Sequence, residues 1–287
     1  MQVNLDYADE SDMVRKLRTS LLLQPLATAL LANSPFTEGR PNGYLSYRAH
    51  IWTDTDPDRS GMPAVFFEPG FGFERYAEWL VSSVPMYFVV RRGHWIDVAG
   101  RSFADFLAGR LEETRRLIPT LGDFDDHMTT VFTDVRLKRY LEMRGADAAA
   151  PPMMLALSAF WVGLLYDEAA LTAVQALLRT ITRADALVLR DSVPKFGLNA
   201  TFDLRGRPMT LRDILPDLLA IAGDGLRARQ RLNASGEDES KYLAPLHAIS
   251  AGDMSPAERL LSEFSSSRDQ DASLFFRRIL SHHTSYS

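Results

Sequence analysis

The chain has 287 residues, of which 46% are hydrophobic and 24% charged, with a formal net charge of −5 and no cysteine. That length can bury one substantial core or two small ones. The acidic balance and the lack of a long cationic tract exclude recognition of nucleic acid by basic charge. No apolar run reaches the length of a membrane span, and the absence of cysteine excludes disulfides and thiolate–zinc sites.

The first segment, Gln2-Val3-Asn4-Leu5-Asp6-Tyr7, reads as a strand with Gln2, Asn4 and Asp6 on one face and Val3, Leu5 and Tyr7 on the other. The amide oxygens of Gln2 and Asn4 suit contact with a metal or a substrate, and Asp6 equally suits a cap for the next helix. Met13, Val14, Leu17, Leu21 and Leu22 set a helix over residues 9–32, which Pro25 should kink or divide. A turn-rich stretch at 34–42 leads to a predicted strand over 44–53, with Tyr44, Ser46, Arg48 and His50 on one polar face. The polar loop 54–62 invites a calcium-loop reading, but Arg59 stands where that loop needs glycine and Val65 where it needs a bidentate glutamate. Asp54 or Asp56 orienting a nucleotide or metal remains open there, beside a plain solvated turn.

Residues 74–82 read as a short helix, and 86–91 with 94–98 as a hairpin turning at Arg92-Gly93. Ser102 with Asp105 resembles a capping box opening a helix to about residue 111, and 123–131 reads as helical. The segment 137–145 puts charge where a buried strand should be apolar. With period two, Lys138, Tyr140, Glu142 and Arg144 share one face, opposite Leu141 and Met143. A carboxylate flanked by cations suits a metal and a phosphate, and the plainer alternative is a half-exposed strand with its polar side to water. An apolar helix at 155–165 follows a loop at 148–152. Beyond Thr182 the chain reads as helical throughout, with caps at Thr182/Asp185, Thr210/Asp213 and Ser255/Glu258. Residues 233–240 read as a flexible acidic loop and 281–287 as a frayed end. Strands mainly in 1–147 and helices in 153–281 give a single α+β domain over 1–287 with an antiparallel sheet.

Several ordered blocks carry a resemblance: Ser34-Pro35-Phe36-Thr37-Glu38-Gly39-Arg40-Pro41-Asn42-Gly43, Ala49-His50-Ile51-Trp52-Thr53-Asp54-Thr55-Asp56, Val84-Pro85-Met86-Tyr87-Phe88, and Phe160-Trp161-Val162-Gly163. With 2–7 and 136–147, they resemble the plant-type glutamate–cysteine ligases, also found in many proteobacteria, over nearly the whole chain. The resemblance implies a glutamine-synthetase-like fold, a curved antiparallel sheet with a polar concave face, backed by helices. It implies ATP-dependent joining of glutamate to cysteine through a γ-glutamyl phosphate, the first step of glutathione biosynthesis, with Mg²⁺ as the metal.

In that frame Glu142 ligates Mg²⁺, with Gln2 as a second candidate ligand, and Arg144 holds ATP phosphate as the catalytic cation. Arg48 grips a carboxylate of glutamate, unless it pairs with Asp54 or Asp56. Tyr87 matches a tyrosine of the cysteine pocket. Trp161 is a further aromatic candidate there, although aromatic residues at such spacing are more often core. Asn4 is a substrate contact, and Asp54 and Asp56 are nucleotide contacts. Members of the family carry a long region before the first strand, with metal-binding glutamates, so this chain is expected to be the C-terminal portion of a larger ligase. Two regulatory cysteines of the plant enzymes fall near Val98 and Glu113, which implies that their redox switch is absent. The partners implied are glutamate, cysteine and ATP, with no nucleic acid or membrane, for a monomer or homodimer. The cytoplasm is the default location without an export signal. A γ-glutamyl ligase with another amine acceptor, a non-catalytic fragment that binds glutamate, nucleotide or a partner, and one half of a split enzyme remain open.

Overall fold

Val3 and Leu5 are buried while Gln2 and Asn4 face outward, the alternation of a half-buried strand, β1 (Val3–Leu5). This computed structural model describes residues 1–204 and 206–266. Asp9 caps α1 (Glu10–Leu30), its side chain accepting from Asp12 N at 2.9 Å. Pro25 lies inside α1, and of the kink or division expected there, division does not occur. The ring removes one backbone donor, but Leu21, Leu23, Leu26, Ala27 and Leu30 are all buried around it, and that packing holds the helix through the gap.

A minimal hairpin of β2 (Phe36–Thr37) and β3 (Arg40–Pro41) turns at Glu38 and Gly39, both at positive φ. The strand expected at 44–53 is instead a helix, α2 (Tyr47–Thr53). The alternation of Leu45, Tyr47, Ala49 and Ile51 fits a strand, but Ser46 is an N-cap whose hydroxyl accepts from Ala49 N at 3.2 Å. Next, β4 (Ser60–Gly61) pairs in parallel with a later strand. A helix, α3 (Phe73–Ser82), then leads into the predicted hairpin, β5 (Phe88–Arg91) and β6 (His94–Asp97). Its turn holds Arg92 at φ 51° and Gly93 at φ 79°, the left-handed pair that a two-residue hairpin needs. Then come α4 (Phe103–Leu107), shorter than expected, and α5 (Leu121–Thr129) with a Thr120/Asp123 capping box. Met86, Val89, Val98, Phe103, Phe106 and Leu111 form a small second core under this hairpin.

The charged segment is a hairpin rather than one strand. After β7 (Phe132–Thr133), the partner of β4, it forms β8 (Val135–Leu137), bends through residues 138–140, and returns as β9 (Leu141–Met143). The sheet order is β1-β9-β8, all antiparallel, with Asn4 opposite Glu142 and Glu142 opposite Arg136. Asn4, Glu142 and Arg136 therefore form one row across the sheet, while Lys138 sits in the bend and Arg144 just past the strand end. Among the described residues the strands are two to four residues long. They form one three-stranded and four two-stranded sheets. The α+β class stands.

The remainder is α6 (Pro151–Leu165), α7 (Glu168–Leu177), α8 (Arg183–Phe196), a hairpin of β10 (Thr201–Leu204) and β11 (Arg207–Thr210), α9 (Leu211–Ala228), α10 (Ala244–Ser250) and α11 (Pro256–Ser266). The hairpin corrects the all-helical expectation past Thr182. It buries Phe202 and Leu204 and ends at Thr210, which opens α9 through its predicted box with Asp213. The boxes at Thr182 and Ser255 are present as well. The acidic loop at 233–240 closes on itself, with the Asn233 side chain accepting from Ser235 N and Glu237 N, both at 2.9 Å. Residues 281–287 lie outside the described residues. Among those described, no single helix is long and apolar enough to cross a membrane, and α6 is spent on the core.

The α6–α9 crossing depends on two glycines. A Cβ at Gly163 would lie 2.3 Å from Ala222 O, and one at Gly225 would lie 2.0 Å from Gly163 O. Both obstacles are backbone, so neither can swing aside. Gly163→Ala should destabilise the chain by about 3 kcal/mol, the upper range for overpacking, and chemical denaturation of the variant checks this. A loss below about 0.5 kcal/mol would mean that the helices are free to separate.

Candidate active site

Glu142 lies on the central strand β9 and is 1% exposed, which rules out a water-facing ion pair. Buried carboxylates need partners, and this one has four. Arg144 Nη1 donates to Oε1, Lys138 Nζ lies 3.4 Å from Oε2, Arg136 Nη1 lies 3.9 Å from Oε1, and Gln2 Nε2 donates to Oε2 at 3.3 Å. Gln2 also reaches Asn4 Oδ1 at 3.4 Å. Burial pushes the Glu142 pKa up, but the bond and charge of Arg144 and the charge of Lys138 outweigh it, and the group sits below the usual carboxylate range. The arginines also rest on aromatic faces. Arg144 lies 5.5 Å from the Phe132 ring centre and 5.8 Å from that of Trp52, and Arg136 lies 5.0 Å from Phe132. Three cations against one carboxylate leave a local surplus of positive charge, an arrangement suited to a polyphosphate.

Mg²⁺ takes hard oxygen ligands and keeps waters and phosphate oxygens in its shell. The Glu142 carboxylate and the Asn4 amide oxygen are such ligands in one row, and Gln2, which turns its amide NH₂ toward both, would add its oxygen only with the amide reversed, so they fit part of a shell that phosphate and water complete. Among the described residues no three His, Cys, Asp or Glu side chains cluster, so they do not form a full protein cage.

Past β9 the backbone is gripped on all sides. Gly145 N donates to Gln24 Oε1 at 2.8 Å, and Gly145 O accepts from Thr28 Oγ1 at 3.1 Å. Arg48, at the start of α2, donates to Arg144 O at 2.9 Å and to Gly145 O at 3.4 Å. It does not pair with Asp54 or Asp56, and burial lowers its pKa. A Cβ at Gly145 would lie 2.3 Å from Gln24 Oε1 and 2.7 Å from Thr28 Oγ1, so a larger residue there would push aside the two side chains that hold this backbone.

Arg48, Arg144 and Arg190 line one cavity with Gln24, Thr28, Trp52, Phe132 and Asp134. Its free space of about 40 Å³ admits a few waters or the end of a carboxylate, not a whole amino acid. Asp134 pairs with Arg190 Nε at 2.8 Å. Burial raises the Asp134 pKa, against the pull of the surrounding guanidiniums.

The other candidates sit elsewhere. Tyr87, 37% exposed, donates its hydroxyl to Asp56. Asp56 is also bonded to Arg59, so its carboxylate is already engaged and the expected nucleotide contact there has a protein partner instead. Asp54 is exposed at the C-terminal cap of α2. Trp161 is 1% exposed and edge-on to Phe160, which makes it core rather than pocket wall. Near the two positions matched to regulatory cysteines, Val98 is buried and Glu113 pairs with Arg101 at 2.6 Å. Sequence reasoning missed Gln24, Thr28, Asp134 and Arg190. One signal existed: Gln24 and Thr28 stand four apart inside an otherwise apolar helix run, and so share a face.

Taken together, the α+β frame carries a buried carboxylate in a cationic row beside a guanidinium-lined cavity. A profile of glutamate-cysteine ligase family 2 (GCS2) matches residues 1–275, and the chain belongs to that family. It is 46% identical over 280 residues to chloroplastic glutamate–cysteine ligase B of Oryza sativa subsp. japonica, covering 98% of this chain and 54% of that protein. Identity to the chloroplastic enzyme of Arabidopsis thaliana is 45% over 98% of this chain and 52% of the relative. For that of Nicotiana tabacum it is 48% over 91% and 48%. The chain thus spans about half the length of the curated relatives it matches. The cytoplasmic location expected from the lack of an export signal is overturned by these relatives, which are chloroplastic.

Proposed function

We propose that this chain carries the phosphate-binding and glutamate-binding part of an ATP-dependent glutamate–cysteine ligase, the first enzyme of glutathione biosynthesis. The observation that carries the reading is the Asn4–Glu142–Arg136 row with Lys138 and Arg144 beside it, in a chain of this family. The γ-carboxylate of glutamate attacks the γ-phosphate of ATP, giving γ-glutamyl phosphate and ADP. The amine of cysteine then attacks the acyl carbon, phosphate leaves, and the amine proton is lost. Arg144, with Lys138 and Arg136, neutralises charge on the transferring phosphoryl group. Mg²⁺, held in part by Glu142 and Gln2, supplies further charge neutralisation to the triphosphate when bound. Arg48 takes a carboxylate of glutamate at the cavity mouth while holding the Arg144 backbone. Tyr87 borders the acceptor amine. In this reading the β1-β9-β8 sheet is a portion of a glutamine-synthetase-like curved sheet.

ADP release with ATP, glutamate and cysteine, each omitted in turn and cysteine replaced by other amines, tests the assignment. Release that needs glutamate and prefers cysteine supports it, whereas release indifferent to glutamate contradicts it. Arg48→Lys keeps the charge but loses the planar fork. The expected result is a glutamate KM raised about tenfold or more, equivalent to roughly 1.4 kcal/mol, with the KM for ATP changed far less. An unchanged glutamate KM would remove Arg48 from the substrate site.

A further inference from the structure

Arg59 is 2% exposed, and each of its guanidinium nitrogens is bonded. Nε donates to Asp56 Oδ2 at 2.7 Å, Nη1 to Thr130 Oγ1 at 2.9 Å, and Nη2 to Pro85 O at 2.7 Å. Its Cζ lies over the Tyr87 ring, 3.6 Å from the ring centre, within cation–π range. The Tyr87 hydroxyl donates to the same Asp56 oxygen that Arg59 holds. Tyr87 is therefore fixed at two points, its face by Arg59 and its hydroxyl by Asp56. Asp56 adopts φ 45°, the left-handed region that costs a side-chain-bearing residue free energy and persists where surrounding bonds hold it. The same arginine reaches across the fold. Its carbonyl accepts from Phe132 N at 2.9 Å, and the Phe132 ring supports Arg136 and Arg144. A lysine could not make this set of contacts, because the bonds use the planar fork.

We infer that Arg59 is a positioning residue for the acceptor amine: with Asp56 it fixes the orientation of Tyr87, and through Phe132 it ties that orientation to the phosphate-binding row. This rests on the ligase reading, in which Tyr87 borders the acceptor. The consequence is specificity. A fixed phenol shapes the wall against which the acceptor's side chain packs, so loosening it relaxes the choice of amine while glutamate and ATP bind as before.

Two measurements on the full chain test this. In steady-state kinetics, Arg59→Lys should raise the KM for cysteine about tenfold and reduce its preference over other amines by a similar factor, with glutamate and ATP constants within about twofold. Tyr87→Phe, which keeps the ring and loses only the tie to Asp56, should do the same more weakly. A uniform loss across all three substrates, or an unchanged cysteine constant, would overturn the positioning role. The second measurement needs no turnover. Burial and then the Asp56 bond raise the Tyr87 pKa, so its phenolate absorbance, isolated by subtracting Tyr87→Phe, should appear above the ordinary value of about 10. It should fall back toward that value in Asp56→Asn, which removes the bond and charge that raise it, and should move from the wild-type position in Arg59→Lys, which takes the pKa-lowering guanidinium off the ring. The second variant serves if the first does not fold. A wild-type chain without turnover would leave the titration to decide the clamp, which a curve unchanged from wild type in both variants would refute.

Discussion

Arg144→Ala should reduce ATP-dependent turnover about 10³-fold, the usual consequence of removing a cation from a transferring phosphoryl group. Folding should change little. Removing Arg144 leaves Glu142 paired with Lys138 at 3.4 Å and Arg136 at 3.9 Å, so no bare charge is created. The effect should therefore fall on kcat, with the KM for ATP raised modestly, because the lost interaction strengthens as charge develops. Arg144→Lys keeps a charge but gives up bidentate geometry and the support of the Trp52 and Phe132 rings, and should recover only part of the loss. Stopped-flow or steady-state ADP assays with parallel denaturation curves check both halves. Equal loss of stability and activity would make Arg144 a structural residue.

Glu142→Gln should be the most destabilising polar substitution in the sheet, by about 3 kcal/mol, because it leaves clustered cations without their buried counter-charge. The pH dependence has a definite sign. The folded pKa of Glu142 lies below its ordinary value of 4.5. Its contribution is therefore fully present above about pH 4.5 and is lost as pH falls through the depressed folded value. Wild type should show this acid-side loss, and Glu142→Gln should show a smaller one while already weaker at neutral pH. Urea midpoints between pH 3 and pH 7 make the comparison. Parallel curves for the two proteins would show that Glu142 is not ionised in the fold.

The charged row of the candidate site was legible in the sequence because charge in an apolar strand pattern is rare enough to stand out. Glu142 and Arg144 were found in that way, and the first strand with Asn4 pairs directly with Glu142. The path between them was misread. Period two cannot separate one long strand from two short ones with a bend, and residues 138–140 bend. At 44–53 a seven-residue alternation fitted a strand, while the single hydroxyl of Ser46 settled a helix. The β10–β11 hairpin was missed because its strands are four residues long and sit between strongly capped helices. The glycine contacts at Gly145 and Gly163 depend on residues distant in sequence, the side chains of Gln24 and Thr28 in one case and the backbone of Ala222 in the other, and no local pattern records them. Membership of the family came from long ordered blocks. Geometry added what those blocks could not, namely that Asp56 is engaged by Arg59 and Tyr87 and that Trp161 is core.

The most direct test of the central claim is a structure of the 287-residue chain with Mg²⁺ and a non-hydrolysable ATP analogue. The account predicts phosphate oxygens within hydrogen-bonding distance of Arg144, on the face of the Asn4–Glu142–Arg136 row, with Mg²⁺ between them and Glu142. An analogue seated elsewhere, or a row that stays empty at saturating analogue, would contradict it.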